Sequence, residues 1–207
     1  SHGIRPPLGV LQVLARVLSA REAETETARL VETMERNVVR LGDVASKLER
    51  LARLTRRPDN APNEQQVDLS AVVHDVAGQL RDMAEARGVV FEVDADLPTL
   101  SADAGRVELV VMNLLANAIK YSDPDKPVRR VSVEFDEPGA GARVRIRDNG
   151  IGIPKSKLDT IFEQFVRAHA HLDEELGAQG LGLGLAIVRE SMQAMGGIVT
   201  VESVDRE

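Results

Sequence analysis

The chain contains no cysteine, which excludes disulfides and thiolate metal sites and fits a reducing compartment. Aromatic residues make up only 2% of it, so any core has to be assembled from Leu, Val, Ile and Ala. No apolar run approaches the roughly 20 residues of a membrane span, and no signal-peptide pattern opens the sequence. Positive charge is in deficit: 26 Lys and Arg stand against 33 Asp and Glu, a formal net charge of -7, which argues against nucleic acid as the main partner. These absences lead to the expectation of a cytoplasmic piece with no nucleic acid and no membrane contact of its own. What is there is an ordinary 43% of hydrophobic residues in 207 positions, enough for one large or two small domains with a real core.

Three short patterns organise the chain. Asn113-Leu-Leu-Ala-Asn117-Ala-Ile-Lys120-Tyr121 is an amphipathic run whose two amides, about one helical turn apart, share a face. Asp148-Asn149-Gly150-Ile151-Gly152 follows an alternating run from Arg143 to Arg147 and reads as the loop leaving a strand. Gly180-Leu181-Gly182-Leu183-Gly184 runs straight into a helix, where unpaired N–H groups and the positive dipole end suit an anion. Taken singly these are ordinary helix amides, a turn and a weak glycine run. In order they describe a nucleotide site. An amide oxygen such as that of Asn117 can ligate a hard cation without adding charge. A carboxylate such as Asp148 accepts hydrogen bonds from an exocyclic amine. Gly150 and Gly152 let the backbone approach a flat ring, and the segment around Gly180 to Gly184 can close over phosphates.

On these residues the chain resembles the catalytic core of a sensor histidine kinase, whose ATP lobe is of the gyrase, Hsp90, histidine kinase and MutL (GHKL, or Bergerat) type. The three patterns are similar to that family's asparagine box and two glycine boxes, and Ile161-Phe162-Glu163-Gln164-Phe165 to its phenylalanine box. The resemblance implies that Asn117 holds Mg2+ and that Asp148 reads adenine. It places Asn113, Lys120 and Gly180 to Gly184, including Leu181 and Leu183, near the phosphates of ATP, and Tyr121 beside the ribose and base. The relatives that hydrolyse ATP carry a glutamate at the position of Asn113, and an amide cannot act as that base.

Upstream, Leu8 to Leu18 has helical spacing, and Leu30, Met34, Asn37, Leu41, Val44, Leu48, Leu51 and Thr55 form a heptad seam. The expected structure is a helical hairpin that pairs with a second copy as a dimeric four-helix bundle. The second helix would run about 46 Å against about 18 Å for the first. This lopsidedness is the ground for expecting a piece of a longer protein, truncated at its N-terminus. His2 resembles the phospho-accepting histidine of the family, with Pro7 at its usual place. A free imidazole, with a pKa of about 6.5, is mostly neutral at pH 7 and nucleophilic. By the same resemblance the phosphoryl group passes on to an aspartate of a response regulator. Two positions depart from the family pattern: Gly3 stands where an acidic residue normally polarises the ring, and Pro6 where Thr or Asn is implicated in dephosphorylation. Loss of a local base is worth about 10²- to 10⁴-fold in rate. The departures motivate a second reading, a kinase-impaired dimeric nucleotide-binding module that signals by conformation.

The expected organisation is a hairpin over 1–57, a linker over 58–65 with Pro58 and Pro62, and an α/β sandwich over 66–207. Within the sandwich, the patterning predicts a strand at Gln66 to Leu69 and a helix capped by Ser70 and stopped by Gly88. It further predicts a strand at Val89 to Val93, a helix from Asp103 to Tyr121, a hairpin of Val128 to Phe135 with Ala142 to Asp148, and a closing strand at Ile198 to Ser203. Residues Lys155 to Gln179 lack a period and read as a lid anchored by Phe162 and Phe165. His169, His171, Asp173 and Glu174 read as solvated charges of that lid, not as a metal cluster.

Overall fold

The computed structural model describes Met34, Val38 and Gly42 and residues 63–136, 142–169 and 182–204. The chain divides into two compact units, Ser1–Asn60 and Ala61–Glu207. In the first, Met34, Val38 and Gly42 are all helical; spaced four apart, they share one face. Met34, a member of the expected seam, is 61% exposed in the single chain. His2, the opening helix and the rest of the seam lie outside the described residues.

The second unit begins with strand β1 (Glu64–Asp68), which starts at Glu64 where the sequence pattern suggested Gln66. Helix α1 (Leu69–Gln79) follows at once, and its cap is Asp68, whose side chain accepts from the Ala71 N–H. Ser70, the expected cap, is instead the second residue of the helix. Nor does one helix continue to Arg87. The chain breaks at Leu80, just after the weak helix former Gly78, and resumes as α2 (Arg81–Arg87). Gly88 ends α2 in the left-handed conformation with φ 60°, as a glycine cap should.

Strand β2 (Val89–Val93) leads to β3 (Thr99–Asp103), an element without a sequence signal strong enough to be expected. Helix α3 (Ala104–Lys120) is the longest described helix. Its cap Asp103 is buried and accepts from the Arg106 N–H at 3.2 Å and the Asn63 N–H at 3.1 Å. Strands β4 (Arg129–Asp136) and β5 (Arg143–Asp148) complete the sheets. β1 pairs antiparallel with β3, while β2 runs parallel to β4 and β4 antiparallel to β5, giving a mixed three-stranded sheet in the order β2-β4-β5. A short turn of helix, α4 (Lys155–Leu158), and then α5 (Gly184–Ala194) follow.

One aliphatic cluster joins these layers. Val107, Val111, Leu115, Ala118 and Ile119 recur at steps of three and four along α3 and meet Val73 and Val76 of α1 and Val131 and Val133 of β4. The period-two partners on β4 and β5 face outward, where Arg145 pairs with Asp136 at 3.0 Å and Arg147 with Glu134 at 3.5 Å. Residues 198–204 do not form the expected closing strand: among the described residues no ladder pairing engages them, and Ile198 and Val204 are exposed. The segment is tied to the rest through Ser203, whose hydroxyl accepts from the Ile153 N–H at 2.8 Å. Among the described residues, no helix is long and apolar enough to cross a membrane.

Candidate functional site

The last two turns of α3 form the base on which the three sequence patterns meet. Asn113 is buried, and its amide nitrogen donates to the Leu109 carbonyl at 2.8 Å. That bond fixes the amide so that its oxygen is left facing α5. A Cβ placed on Gly184, the first residue of α5, would lie 3.0 Å from Asn113 Oδ1 and 3.6 Å from Asn117 Nδ2. The start of α5 therefore rests on both amides, and a side chain at Gly184 would press on the Asn113 oxygen while only touching Asn117.

One turn further on, the second pattern closes on Tyr121. The Tyr121 carbonyl accepts from the Ile151 N–H at 3.1 Å. A Cβ on Gly150 would overlap that carbonyl oxygen and come within 2.8 Å of Asp148 Oδ1. Asp148 Oδ1 in turn accepts from the Gly150 N–H at 2.9 Å. Asn149 fastens the loop to the start of β4: its amide nitrogen donates to the Val128 carbonyl and its oxygen accepts from the Arg130 N–H, both at 2.9 Å. The Asp148 carboxylate remains open to solvent on one side. Burial of its other side raises its pKa above the usual aspartate value, and the Gly150 N–H and the Lys126 charge pull it partly back.

Around Tyr121 several groups converge. Lys120 Nζ stands 5.4 Å from the ring centroid. Burial pushes the Tyr121 phenol up, and the nearby Arg167 charge opposes that shift. His169, expected to be solvated, is 6% exposed. Its ring centroid is 6.2 Å from that of Tyr121, and its Nε2 lies 2.7 Å from the Gly152 carbonyl. Sequence reasoning missed it because nothing local distinguishes a histidine in a polar stretch from one folded back on a glycine loop.

The phenylalanine segment meets the second glycine pattern. The Phe165 N–H donates to the Gly182 carbonyl at 2.9 Å, and a Cβ on Gly182, at φ 69°, would sit 2.6 Å from the Val166 carbonyl oxygen. The Phe165 side chain is 69% exposed among the described residues, at φ 66°, so it is the backbone of Phe165 that meets the glycine pattern; Ile161 is the buried member. Gly180 and Leu181 lie outside the described residues, as does His2.

Two arginines that the sequence did not single out brace the end of α3. Arg87 donates to the Lys120 carbonyl at 2.9 Å. Arg129 donates to the carbonyls of Arg87, of Asp123 at 2.9 Å and of Pro124 at 2.7 Å. Burial, followed by the positive charge of Arg129, holds the Arg87 guanidinium below its ordinary pKa.

The family model described as histidine kinase-, DNA gyrase B-, and HSP90-like ATPase matches residues 102–207. The chain belongs to that ATPase family. The match covers α3, strands β4 and β5 and both glycine patterns, and the relatives extend the likeness upstream. The aerobic respiration control sensor protein ArcB of Escherichia coli is 30% identical over 208 residues, 98% of this chain and 26% of its own length. The sensor-like histidine kinase SenX3 of Mycobacterium tuberculosis is 32% identical over 207 residues, 98% of this chain and 48% of its own. The chain thus spans about a quarter to half of the curated relatives it matches. Among solved structures, full-length ShkA in complex with AMPPNP superposes with a TM-score of 0.63 at 25% identity, over 98% of this chain and 42% of that one. The mycobacterial sensor histidine kinase MprB gives 0.52 at 30% identity, over 64% of this chain and 80% of that one. In this ATPase-family unit no group of three or more His, Cys, Asp or Glu could hold a metal among the described residues.

Proposed function

We propose that the chain is the catalytic core of an ATP-dependent protein histidine kinase of a two-component system, with 1–57 the dimerising phosphotransfer hairpin, 58–65 the linker and 66–207 the ATP lobe. The observation that carries this reading is the convergence on α3: Gly184 against Asn113 and Asn117, and Gly150 against Tyr121 and Asp148. A backbone that approaches so closely from two loops is suited to a flat base on one side and an anionic chain on the other.

In this reading Asp148 accepts a hydrogen bond from the adenine amino group, and Gly150 and Gly152 bring the backbone up to the ring. Tyr121 lies beside the ribose and base. Asn113, Lys120 and Gly180 to Gly184 attend the phosphates. The donor set fits Mg2+: a neutral amide at Asn117 beside a neutral amide at Asn113 leaves the ion's charge for phosphate oxygens. Once bound, Mg2+ would neutralise charge on the phosphates. Asn117 would hold it, and Lys120 would add a positive charge at the transferring group. His2 supplies the nitrogen lone pair that forms the new P–N bond as the bond to the ADP leaving group breaks. The phosphoryl group then moves to an aspartate of a response regulator, and two copies of the chain pair through the hairpin.

Incubating the full chain with γ-labelled ATP tests the reading. Acid-labile, base-stable label that disappears in His2→Gln is the expected result. Tight ATP binding with no label would favour the kinase-impaired signalling module that Gly3 and Pro6 motivate, and no binding at all would overturn both.

A further inference from the structure

His169 is the buried polar side chain of the site to which no role has been given. Its Nε2 lies 2.7 Å from the carbonyl oxygen of Gly152. A carbonyl only accepts, so Nε2 must carry the proton and donate. Gly152 is held at φ 76°, in the left-handed region that disfavours any residue with a side chain. The near end of the same loop is fixed by the Asp148 to Gly150 bond at 2.9 Å and by the Ile151 bond to the Tyr121 carbonyl at 3.1 Å. The far end, the Gly152–Ile153 peptide, is held by His169 on its carbonyl and by the Ser203 hydroxyl on its N–H at 2.8 Å, and the His169 ring also stands 6.2 Å from Tyr121 at an interplanar angle of 45°.

We infer that His169 is a positioning residue for the base: it pins Gly152 and the Tyr121 ring in the relation that a bound purine requires, without touching the phosphates. The inference rests on the reading of this loop as the adenine site. Losing the histidine leaves the Gly152 carbonyl unheld, with only the Ser203 bond to Ile153 at that end of the loop, so the penalty falls on the purine part of the ligand and is shared by every adenine nucleotide. The substitution His169→Gln would retain an N–H donor of similar reach, whereas His169→Ala would remove the donor altogether.

The test uses isothermal titration of the full chain with ATP, ADP and adenosine, alongside thermal unfolding without nucleotide. His169→Ala is expected to weaken all three ligands by a common factor of about five to ten, the size of one buried hydrogen bond. His169→Gln is expected to recover most of that loss. A merely structural histidine would lower the unfolding temperature of both variants alike and show no rescue by Gln; that outcome, or unchanged affinity in His169→Ala, overturns the inference. If the unmodified chain binds no adenine nucleotide, the failure belongs to the nucleotide reading itself.

Discussion

Asp148 carries a burden when no ligand is present. Folding withdraws water from one side of its carboxylate, and the raised pKa means that the folded chain takes up a proton more readily than the unfolded one. Stability attributable to this group is therefore greatest below the ordinary aspartate range and falls as pH rises through the raised value. Asp148→Asn should accordingly raise the unfolding temperature of the ligand-free protein at neutral pH and flatten its dependence on pH in that window. The same change should weaken ATP roughly ten- to a hundredfold, because an amide oxygen replaces a charged acceptor. Thermal unfolding across a pH series and titration with ATP check the two halves separately. Gly150 is constrained differently: a methyl group there meets backbone, which cannot move aside as a side chain can. Gly150→Ala should cost about 2 kcal/mol of stability, measured by urea unfolding. A methyl group on Gly184 meets the Asn113 side chain at 3.0 Å and no backbone, so Gly184→Ala should cost less stability than Gly150→Ala, because only the hydrogen-bonded amide has to shift, and should lose nucleotide affinity.

Among the elements, α3 is positioned from both ends, by Asp103 at its start and by the two arginines at its finish. Arg129 grips three backbone carbonyls across Arg87, Asp123 and Pro124. Arg129→Ala should lower unfolding free energy by about 2 kcal/mol and loosen the Lys120 to Tyr121 end of the site; amide hydrogen exchange at residues 117–123 would register the loosening. Much of this architecture was legible beforehand because α3 and β2 advertise themselves: aliphatic residues recur with the period of the element, and Asp103, Tyr121 and Gly88 mark the ends. The three motif patterns were legible for the same reason, each sitting where a helix, a strand end or a helix start was already indicated. What was not legible depends on distant partners. Thr99–Asp103 becomes a strand only because β1 lies beside it. Asp68 and Ser70 are both competent caps, and tertiary placement chose the former. The burial of His169 and the bracing by Arg87 and Arg129 arise from residues far apart in sequence, which local pattern cannot bring together.

For the whole molecule, an acidic balance goes with a second unit that belongs to an ATPase family and is built on an aliphatic core. In the proposed function the amide pair on α3 and the loop from Asp148 to Gly152 serve one ligand, with Asn117 on its metal and Asp148 on its base. Titration of the full chain with AMPPNP, with and without Mg2+, addresses this most directly when repeated on Asn117→Ala. Mg2+ is expected to strengthen binding to the unmodified chain, and Asn117→Ala to lose this Mg2+-dependent gain while keeping its Mg2+-free affinity. Equal Mg2+ dependence in both proteins, or no binding of AMPPNP to the unmodified chain, would contradict it.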